Sequence, residues 1–491
     1  MTEPVIPEGI LTLDRSGSVS LSEQIYRGIR EAVRAGLLQS GARLPSTRRL
    51  AAMLAVARNT VNTAYELLQA EGVITVRTGA APRVTEGLVL EGKGPVRTET
   101  SGGPELSCRG RLLSANMRGE GWASRHGALQ PGSPALDCFP FEEWARYLRR
   151  AARLERSSDL HYQNFCGLEE LKQQLARHLA AERGVRAEPE QILITSSTQA
   201  NLTLLTQILT DPGDTVWLEE PGYLGARTAF HGAGLMIRPL PTDEEGADVS
   251  RMSGDNLPPR LIYVTPSHHY PLGARMPLSR RLALLEAASD AGAVILEDDY
   301  DSEFLFEGRP VAALHGLAVA GQVVYLGTFA KSLLPGLRIA YCVVPPALVG
   351  PVSRTMRNTG AAANVQVQAA LARFMESGAY LRHLRQIRQI YRTRGTLLFE
   401  TLTQRLGNRV EVTQPTGNVQ LAVRFREPVD DIELALAMQA RGFAVSPLSS
   451  CYLGQDKHAG LIIGFAGATE PQIEQGVATL GVLLGSGTPT A

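Results

Sequence analysis

Hydrophobic and polar residues in the first part of the chain alternate with a helical period. Ser20 and Glu23 form an S-x-x-E capping box, which commonly starts a helix. Apolar residues then recur at every fourth position, at Leu21, Ile25, Ile29 and Val33. This spacing places them on one face and predicts a helix that packs against a core.

Two further helices and a hairpin follow in the same region. Pro45 and Ser46 predict a turn and an N-cap, followed by an apolar stripe of Leu50, Ala51 and Leu54. A third helix is expected from about Arg58 to Glu71, with core positions at Val61, Ala64, Tyr65 and Leu68. The next residues, GVITVRTGAAPRV, predict a short hairpin. Three helices and a hairpin are typical of a winged helix-turn-helix, which we assign to residues 13–84.

The periodicity stops in the segment 85–125. Its sequence GKGPVRTETSGGPELS has too few apolar residues to order itself and is typical of a flexible linker. We therefore expect a second folded domain over residues 126–485, followed by a disordered tail over residues 486–491.

The second domain contains short apolar runs separated by helical or loop segments. These runs lie at residues 192–195, 216–218, 261–265, 293–297, 323–327 and 339–344. Nearly continuous apolar strands that alternate with helices predict an α/β layer with a mainly parallel sheet, buried on both faces. Beyond about Asn364, an Arg-rich helical stretch and a smaller α+β lobe are expected. Ligands of such sheets bind at the carboxyl ends of the strands.

Composition limits the functions that are open to the chain. Hydrophobic residues make up 44% and charged residues 20%, as in ordinary globular proteins, and the formal net charge is zero. The five cysteines show no C-x-x-C spacing, which argues against a zinc site or a disulfide framework. No signal peptide and no long apolar stretch is found, so the sequence predicts a cytoplasmic protein without a membrane segment or a metal site.

Positive charge is nevertheless concentrated in the predicted winged helix. Between Arg43 and Arg83 there are six arginines and two acidic residues, in a chain whose total charge is zero. Arginine can contact phosphates and guanine, and the start of the third helix would enter the major groove. A solvated face of a protein-interaction domain is the alternative, because 45 of the 49 basic residues in this chain are arginine and only four are lysine.

The segment RLPSTRRLAAMLAVARNTVNTAYELLQAEGVI resembles the winged helix of GntR-type regulators. The resemblance covers about 70 residues. It implies binding to double-stranded operator DNA through Arg48, Arg58, Thr60 and Asn62. The wing departs from the family pattern, because GAAP stands where a Gly-Ser-Gly-Thr turn is usual.

Lys331 is one of the four lysines and lies between two apolar strands, in YLGTFAKSLLPGLRIAYCVV. Its amine could extend to solvent, or a pocket could lower its pKa and make it a neutral nucleophile for a Schiff base. Upstream, EDDYDSEF places carboxylates at a strand end, where they could serve a pyridine nitrogen, a solvated turn or a divalent metal. Ser196, Ser197 and Thr198 form either a phosphate cradle or an ordinary N-cap.

These motifs together resemble the fold-type I aminotransferase-like domain of the MocR branch of GntR-type regulators. The matching segments are EEPGYLGAR, VTPSHHYPLG, EDDYDSEF and GTFAKSLLPGLR. The resemblance implies pyridoxal 5'-phosphate as cofactor, held by Lys331 as a Schiff base and by Asp298 at the pyridine nitrogen. It also implies a homodimer and further cofactor contacts from Tyr300, Tyr223, Ser197, Thr198, Thr328, Arg338 and, across the dimer, Tyr162.

Two departures from aminotransferases bear on catalysis. Tyr270 stands where they usually carry an asparagine, and Ile462 falls where their substrate-carboxylate arginine is common. Isoleucine cannot replace a bidentate arginine grip on a carboxylate. We therefore expect a transcriptional regulator that senses pyridoxal phosphate, an amine or an amino acid. An active aminotransferase with an accessory DNA-binding head is the alternative, and a fold that has lost its cofactor conflicts with the intact lysine, acid and phosphate set.

Overall fold

The computed structural model describes residues 6, 10–77, 80–86, 105–115, 127–153, 164–252, 257–306, 311–318 and 321–485. The chain divides into two units, residues 1–105 and residues 106–491. The predicted disordered tail over residues 486–491 lies outside the described residues.

The first unit has the predicted winged helix-turn-helix architecture. Its elements are α1 (Leu21–Arg34), α2 (Thr47–Leu54), α3 (Arg58–Ala70), β1 (Ile74–Thr75) and β2 (Arg83–Val84). The side chain of Ser20 caps α1 by accepting the Glu23 backbone N–H, and Ser46 caps α2 in the same way. The strands β1 and β2 pair antiparallel as the hairpin. The caps and the hairpin confirm the local predictions.

One apolar core holds the three helices of the first unit together. The predicted core residues of α3 are all buried, as are Ile25, Ile29, Val33 and Leu50. The buried Tyr65 hydroxyl donates to the Pro45 carbonyl at 2.8 Å, and so ties α3 to the turn before α2. Arg15 donates to the Leu54 and Ala55 carbonyls, which satisfies the end of α2. The exposed ends of α2 and α3 are thereby held in a defined arrangement.

A helix that the sequence did not predict lies in the segment 85–125. This helix, α4 (Cys108–Ser114), is capped by Ser107, whose hydroxyl accepts the Gly110 N–H. Leu113 packs so closely on Gly232 that a Cβ at Gly232 would lie 2.3 Å from its Cδ2. The Arg- and Ser-rich sequence of this segment did not indicate a helix. The helix packs on Gly232, a residue far along the chain, and no local pattern shows that contact.

A large mixed sheet organises the second unit. Its strands are β3 (Ile192–Thr195), β4 (Thr215–Glu220), β5 (Met236–Asp243), β6 (Gly246–Ala247), β7 (Leu261–Val264), β8 (Val294–Asp299), β9 (Val323–Thr328) and β10 (Ala340–Val343). The spatial order is β3-β10-β9-β8-β7-β4-β5-β6. Strands β5, β4, β7, β8 and β9 pair in parallel, whereas β10 and β6 are antiparallel to their neighbours. The predicted mainly parallel sheet is confirmed.

Helices cover both faces of this sheet. They are α5 (Phe141–Ala151), α6 (Glu169–Arg183), α7 (Thr198–Leu209), α8 (Leu224–Ala233), α9 (Leu278–Ala291), α10 (Leu314–Leu317), α11 (Pro346–Thr359) and α12 (Val365–Glu376). Residues of β7, β8 and β9 are buried throughout or nearly so, and successive side chains enter different apolar clusters. Burial on both faces explains why these strands lack a polar alternation.

The C-terminal lobe has its own antiparallel sheet. The 28-residue helix α13 (Ala379–Leu406) leads into it. The lobe contains β11 (Val410–Val412), β12 (Gln420–Phe425), α14 (Asp431–Gln439), β13 (Ser446–Pro447), β14 (Gly460–Gly464) and α15 (Glu470–Gly485), with the strand order β11-β12-β14-β13. Across the described ranges, no helix is both long and apolar enough to cross a membrane.

Candidate functional site

Most predicted cofactor residues lie along one edge of the large sheet. Parallel strands present their carboxyl ends at the same edge, and β10 begins there because it runs the opposite way. Ala340 pairs with Thr328 on one side and with Thr195 on the other. The groups that follow β3 and β9 and precede β10 are therefore neighbours, which chain order alone does not show.

Lys331 lies just beyond the end of β9 and is partly buried. Its Nζ donates to the Gly132 carbonyl at 2.7 Å. A Cβ at Gly132 would lie 2.3 Å from that Nζ, so the absence of a side chain there makes room for the amine. Burial lowers the pKa of Lys331, against the opposing charges of Asp301 and Asp298. A lower pKa enlarges the fraction of neutral amine, which is the nucleophilic form.

Asp298 is the penultimate residue of β8, with one carboxylate oxygen hydrogen-bonded and the other unpaired. Its Oδ2 accepts the Tyr263 hydroxyl at 2.6 Å, whereas its buried Oδ1 has no hydrogen-bond partner among the described residues. Burial raises the pKa of Asp298 to about 7, although the Tyr263 hydroxyl opposes this. A buried unpaired carboxylate oxygen is costly. It fits a site that receives a charged nitrogen–hydrogen donor.

The neighbouring acids of EDDYDSEF point to separate partners. Asp299 accepts the Arg183 Nε at 2.7 Å, and the Asp301 carboxylate lies 2.8 Å from the His268 Nδ1. Both Glu297 oxygens accept backbone N–H groups, at Leu314 and His315. Within the described ranges, no group of three or more His, Cys, Asp or Glu side chains is arranged to hold a metal ion. Asp299 and Asp301 also keep one unpartnered oxygen each, but each has a basic partner, whereas the only hydrogen bond of Asp298 among the described residues comes from the neutral Tyr263 hydroxyl.

Three tyrosines form an aromatic group next to this edge. The rings of Tyr223 and Tyr270 meet edge to face at 5.4 Å, and those of Tyr270 and Tyr300 at 6.2 Å. Tyr223 precedes α8, and Tyr300 directly follows β8. Tyr223 and Tyr300, which were both predicted to contact the cofactor, therefore lie near each other. Tyr270, which the sequence marked as a departure, connects them.

The predicted phosphate ligands gather at the other end of the edge. Ser197 caps α7 by accepting the Ala200 N–H at 3.1 Å, and Thr198 is the first residue of that helix. Thr328 ends β9, and its hydroxyl accepts the Ala330 N–H. Arg338 is exposed, has a φ of +52°, and lies two residues before β10. A helix start, two hydroxyls and an exposed guanidinium suit a phosphate group.

Glu219 and His269 are functional candidates that the sequence analysis did not single out, although both lie in the motifs it used. Glu219 accepts the Thr265 N–H and hydroxyl through Oε2, and burial raises its pKa to about 8. Burial lowers the pKa of His269 to about 3, so its ring is neutral. Its Nε2 lies 3.9 Å from the Glu219 Oε2. Tyr263, Gly132 and Arg183 were also missed, since only tertiary contacts reveal them.

The remaining predicted site residues fall in three places. Tyr162 lies outside the described residues. Ile462 is buried in β14, where it packs near Tyr270. The four predicted DNA contacts lie on the first unit: Arg48 and Arg58 are exposed, and Thr60 and Asn62 are half-buried. No side chain caps the N-terminus of α3, which starts at Arg58.

The residues at the sheet edge fit pyridoxal phosphate. The unpaired Asp298 oxygen suits a pyridinium nitrogen, the Gly132 cradle leaves room at the Lys331 amine, and the hydroxyls near α7 suit a phosphate. When bound, this cofactor acts as an electron sink for amines. The protein supplies the nucleophilic amine, the carboxylate and the anion cradle.

The fold and this site define a protein with an aminotransferase class I and II domain. The model of that family, described as "Aminotransferase class I and II", matches residues 131–480. The model described as "Bacterial regulatory proteins, gntR family" matches residues 21–84. A solved α-aminoadipate aminotransferase from Thermus thermophilus, complexed with N-(5'-phosphopyridoxyl)-L-leucine, aligns with a TM-score of 0.71 and 26% identity over 78% of this chain and 97% of that one.

Two curated relatives carry both parts. The probable rhizopine catabolism regulatory protein MocR of Rhizobium meliloti is 39% identical over 96% of this chain and 95% of its own length. The pyridoxine biosynthesis transcriptional regulator PdxR of Corynebacterium glutamicum is 30% identical over 94% of this chain and 95% of its own. The chain belongs to the MocR-type, GntR-family transcriptional regulators, as its sequence motifs indicated.

Proposed function

We propose that this protein is a DNA-binding regulator whose second unit binds pyridoxal phosphate and responds to it or to an amine effector. The observation that supports this proposal most is the contact between partly buried Lys331 and Gly132 together with buried Asp298. The Asp298 carboxyl, which has one unpaired oxygen, has a raised pKa, and the Lys331 amine has a lowered pKa. A purely structural acid at this place would be expected to have a basic partner, as Asp299 has in Arg183 and Asp301 has in His268.

Different site residues hold different parts of the cofactor. Lys331 provides the amine that attaches it, and Asp298 accepts a hydrogen bond from the ring nitrogen, with Tyr263 orienting the carboxylate. Tyr223 and Tyr300 contact the ring from the aromatic group. Ser197, Thr198, Thr328 and Arg338 hold the phosphate at the sheet edge. The adjacency of the strand ends at one edge of the sheet supports these roles.

The first unit reads an operator through α3. Arg58, Thr60 and Asn62 lie in the first turns of that helix, and Arg48 lies near the start of α2. Helix starts of this kind contact phosphates and the major groove in winged helices. We propose a cytoplasmic homodimer that presents two such units to double-stranded DNA. Tyr162 would complete the cofactor site of the partner subunit.

Regulation requires that the ligand distinguish two arrangements of the dimer. A ligand with equal affinity for both arrangements shifts nothing, however tightly it binds. We therefore propose that cofactor or effector binds one arrangement more tightly, and that this arrangement sets the spacing of the DNA-binding units.

The test is operator affinity of the full chain, measured by fluorescence anisotropy with and without pyridoxal phosphate and with a panel of amines. We expect a ligand-dependent change in wild type that is absent in Lys331→Ala. The visible absorbance band of the attached cofactor, measured on the same samples, shows whether each protein has bound it. Unchanged operator affinity in a wild-type protein that carries the band would contradict the sensing proposal.

A second candidate is an active aminotransferase with an accessory DNA-binding unit, which the complete lysine and acid set favours. Steady-state conversion of an amino donor and a keto acid at an ordinary enzymatic rate, on the order of 1 per second or faster, would support it. Buried Ile462 at the place expected for a carboxylate-binding arginine speaks against it.

A further inference from the structure

One face of the small sheet borders the aromatic group of the cofactor site. In β12, Gln420 and Arg424 flank Ala422, which pairs with Ile462 of β14. Side chains alternate along a strand, so these four residues share one face of the sheet. The opposite face, with Leu421, Val423, Leu461 and Ile463, belongs to the main core.

Ile462 connects this face to the cofactor site. It packs in a cluster with Leu448, Cys451 and Tyr452, against which Tyr270 is packed. The Gly222 N–H donates to the Cys451 carbonyl at 3.0 Å, next to Tyr223. The region between β12, β14 and the start of α8 is therefore the far wall of the site that contains Tyr223 and Tyr270. We call it the distal wall.

The distal wall holds buried polar atoms with no hydrogen-bond partner among the described residues. Each such group costs free energy unless a polar partner reaches it. The atoms are Gln420 Nε2 and Arg227 Nε. Gln420 is 3% exposed, so bulk solvent does not satisfy its amide. These unsatisfied donors at one wall indicate a ligand that accepts hydrogen bonds.

Two arginines make this wall cationic. Arg227 lies one helical turn beyond Tyr223, and its Nη1 donates to the Tyr452 carbonyl at 3.3 Å. Arg424 is half-buried and forms no ion pair with a described residue. This holds even for Glu411, the acidic residue directly opposite Arg424 on β11. Arg424 shares its sheet face with Ile462 of the distal wall, and its positive charge opposes the rise in the pKa of Tyr452.

We propose that the effector is an amine that also carries a carboxylate, and that Arg424, assisted by Arg227, binds this carboxylate at the distal wall. The arginine missing at position 462 is thus replaced from the adjacent strand, on the same face of the sheet. Arginine is suited to this task, because its planar guanidinium binds a carboxylate with two hydrogen bonds. This inference rests on the proposed function, since the amine must reach the cofactor near Lys331.

The test compares acids with their uncharged amides on the full-length protein loaded with pyridoxal phosphate. The probes are L-alanine with L-alaninamide, and β-alanine with β-alaninamide. Each is titrated while the absorbance of the bound cofactor is followed. We expect wild type to respond to at least one acid at a concentration about tenfold or more below that of its amide. Arg424→Gln removes this preference and raises the half-saturating concentration of the acid about tenfold, and Arg424→Lys restores part of it.

The control is Arg409→Gln, which makes the same substitution in the same lobe, at an exposed ion pair with Glu427. It leaves the preference for the acid unchanged. Equal responses to acid and amide in wild type, equal losses of both in Arg424→Gln, or no response to either acid would overturn the inference and leave cofactor binding intact. A wild-type protein without any cofactor band would instead overturn the proposed function itself.

Discussion

The two units of this chain place their functional groups in opposite environments. In the first unit, Arg48 and Arg58 are exposed, and the core beneath them only positions the helices. In the second unit, Asp298 and Glu219 are 4% and 1% exposed, and burial raises the pKa of both. Exposed arginines can bind a polyanion without distorting the fold, whereas buried acids alter stability, pH dependence and ligand affinity together.

Removal of the Asp298 carboxylate should have the largest effect. Asp298→Ala deletes the charged acceptor for the ring nitrogen, and we expect the affinity for pyridoxal phosphate to fall about a hundredfold. Equilibrium titration of the absorbance band measures it. Asp290→Asn, an exposed acid on α9, is the control and should bind normally. Operator affinity of the cofactor-free Asp298→Ala protein should equal that of cofactor-free wild type, and a loss of DNA binding there would contradict the separation of the two units.

Arg58→Ala is expected to weaken DNA binding and to leave cofactor binding unchanged. Loss of one arginine contact to phosphate or guanine should weaken operator binding about tenfold and reduce its salt dependence. The affinity for pyridoxal phosphate should not change. Arg27→Ala, which removes an exposed arginine of α1 paired with Glu23, provides the control. If both variants weakened DNA binding equally, the charge of the unit rather than α3 would be responsible.

Buried Glu219 should make the stability of the second unit dependent on pH. Its pKa rises from 4.5 to about 8 on folding, so the folded state keeps a proton that the unfolded state has lost. The stability contributed by this proton is present at low pH and is lost as pH rises between about 5 and 8.

Glu219→Gln removes that contribution and keeps an acceptor for Thr265. Its free energy of unfolding, measured by urea denaturation without cofactor, should fall less steeply with pH than that of wild type, by about 1.4 kcal/mol per pH unit. Superimposable pH profiles of the two proteins would show that Glu219 is already ionised in the folded state.

The smallest expected effect lies in the first unit. Tyr65→Phe removes the buried hydrogen bond to the Pro45 carbonyl and should cost the winged helix about 1 kcal/mol. Calorimetry should show a lower Tm for the transition of the first unit and no change in that of the second. Tyr147→Phe, which loses an exposed bond to Ser377 in the second unit, should leave the first transition in place.

Local motifs were enough to predict most of the first unit. The caps at Ser20 and Ser46 and the core positions of α3 depend on neighbours within a few residues, and all are confirmed. The helix α4 was not predicted, because its apolar partner lies beside Gly232, more than a hundred residues away in the sequence. Periodicity identifies a helix only when its own residues carry the pattern.

The candidate cofactor site was predicted only in part. Motif resemblance brought Lys331 and Asp298 to notice, but it did not show that Tyr263 uses one Asp298 oxygen or that the other is unpaired. It assigned no partner to the other acids of EDDYDSEF, whereas the structure pairs Asp299 with Arg183 and Asp301 with His268. These distinctions depend on which strands are adjacent.

The sequence by itself determined the two-part organisation, the class of each part and the lysine and acid that define the cofactor site. It did so because caps, apolar periods and short motifs depend on residues close together in the chain. The tertiary structure alone decided that Gly132 faces the Lys331 amine across 199 residues of chain, and that Arg424 and Ile462 share a sheet face. Such contacts are set by strand order and register, and no local pattern encodes them.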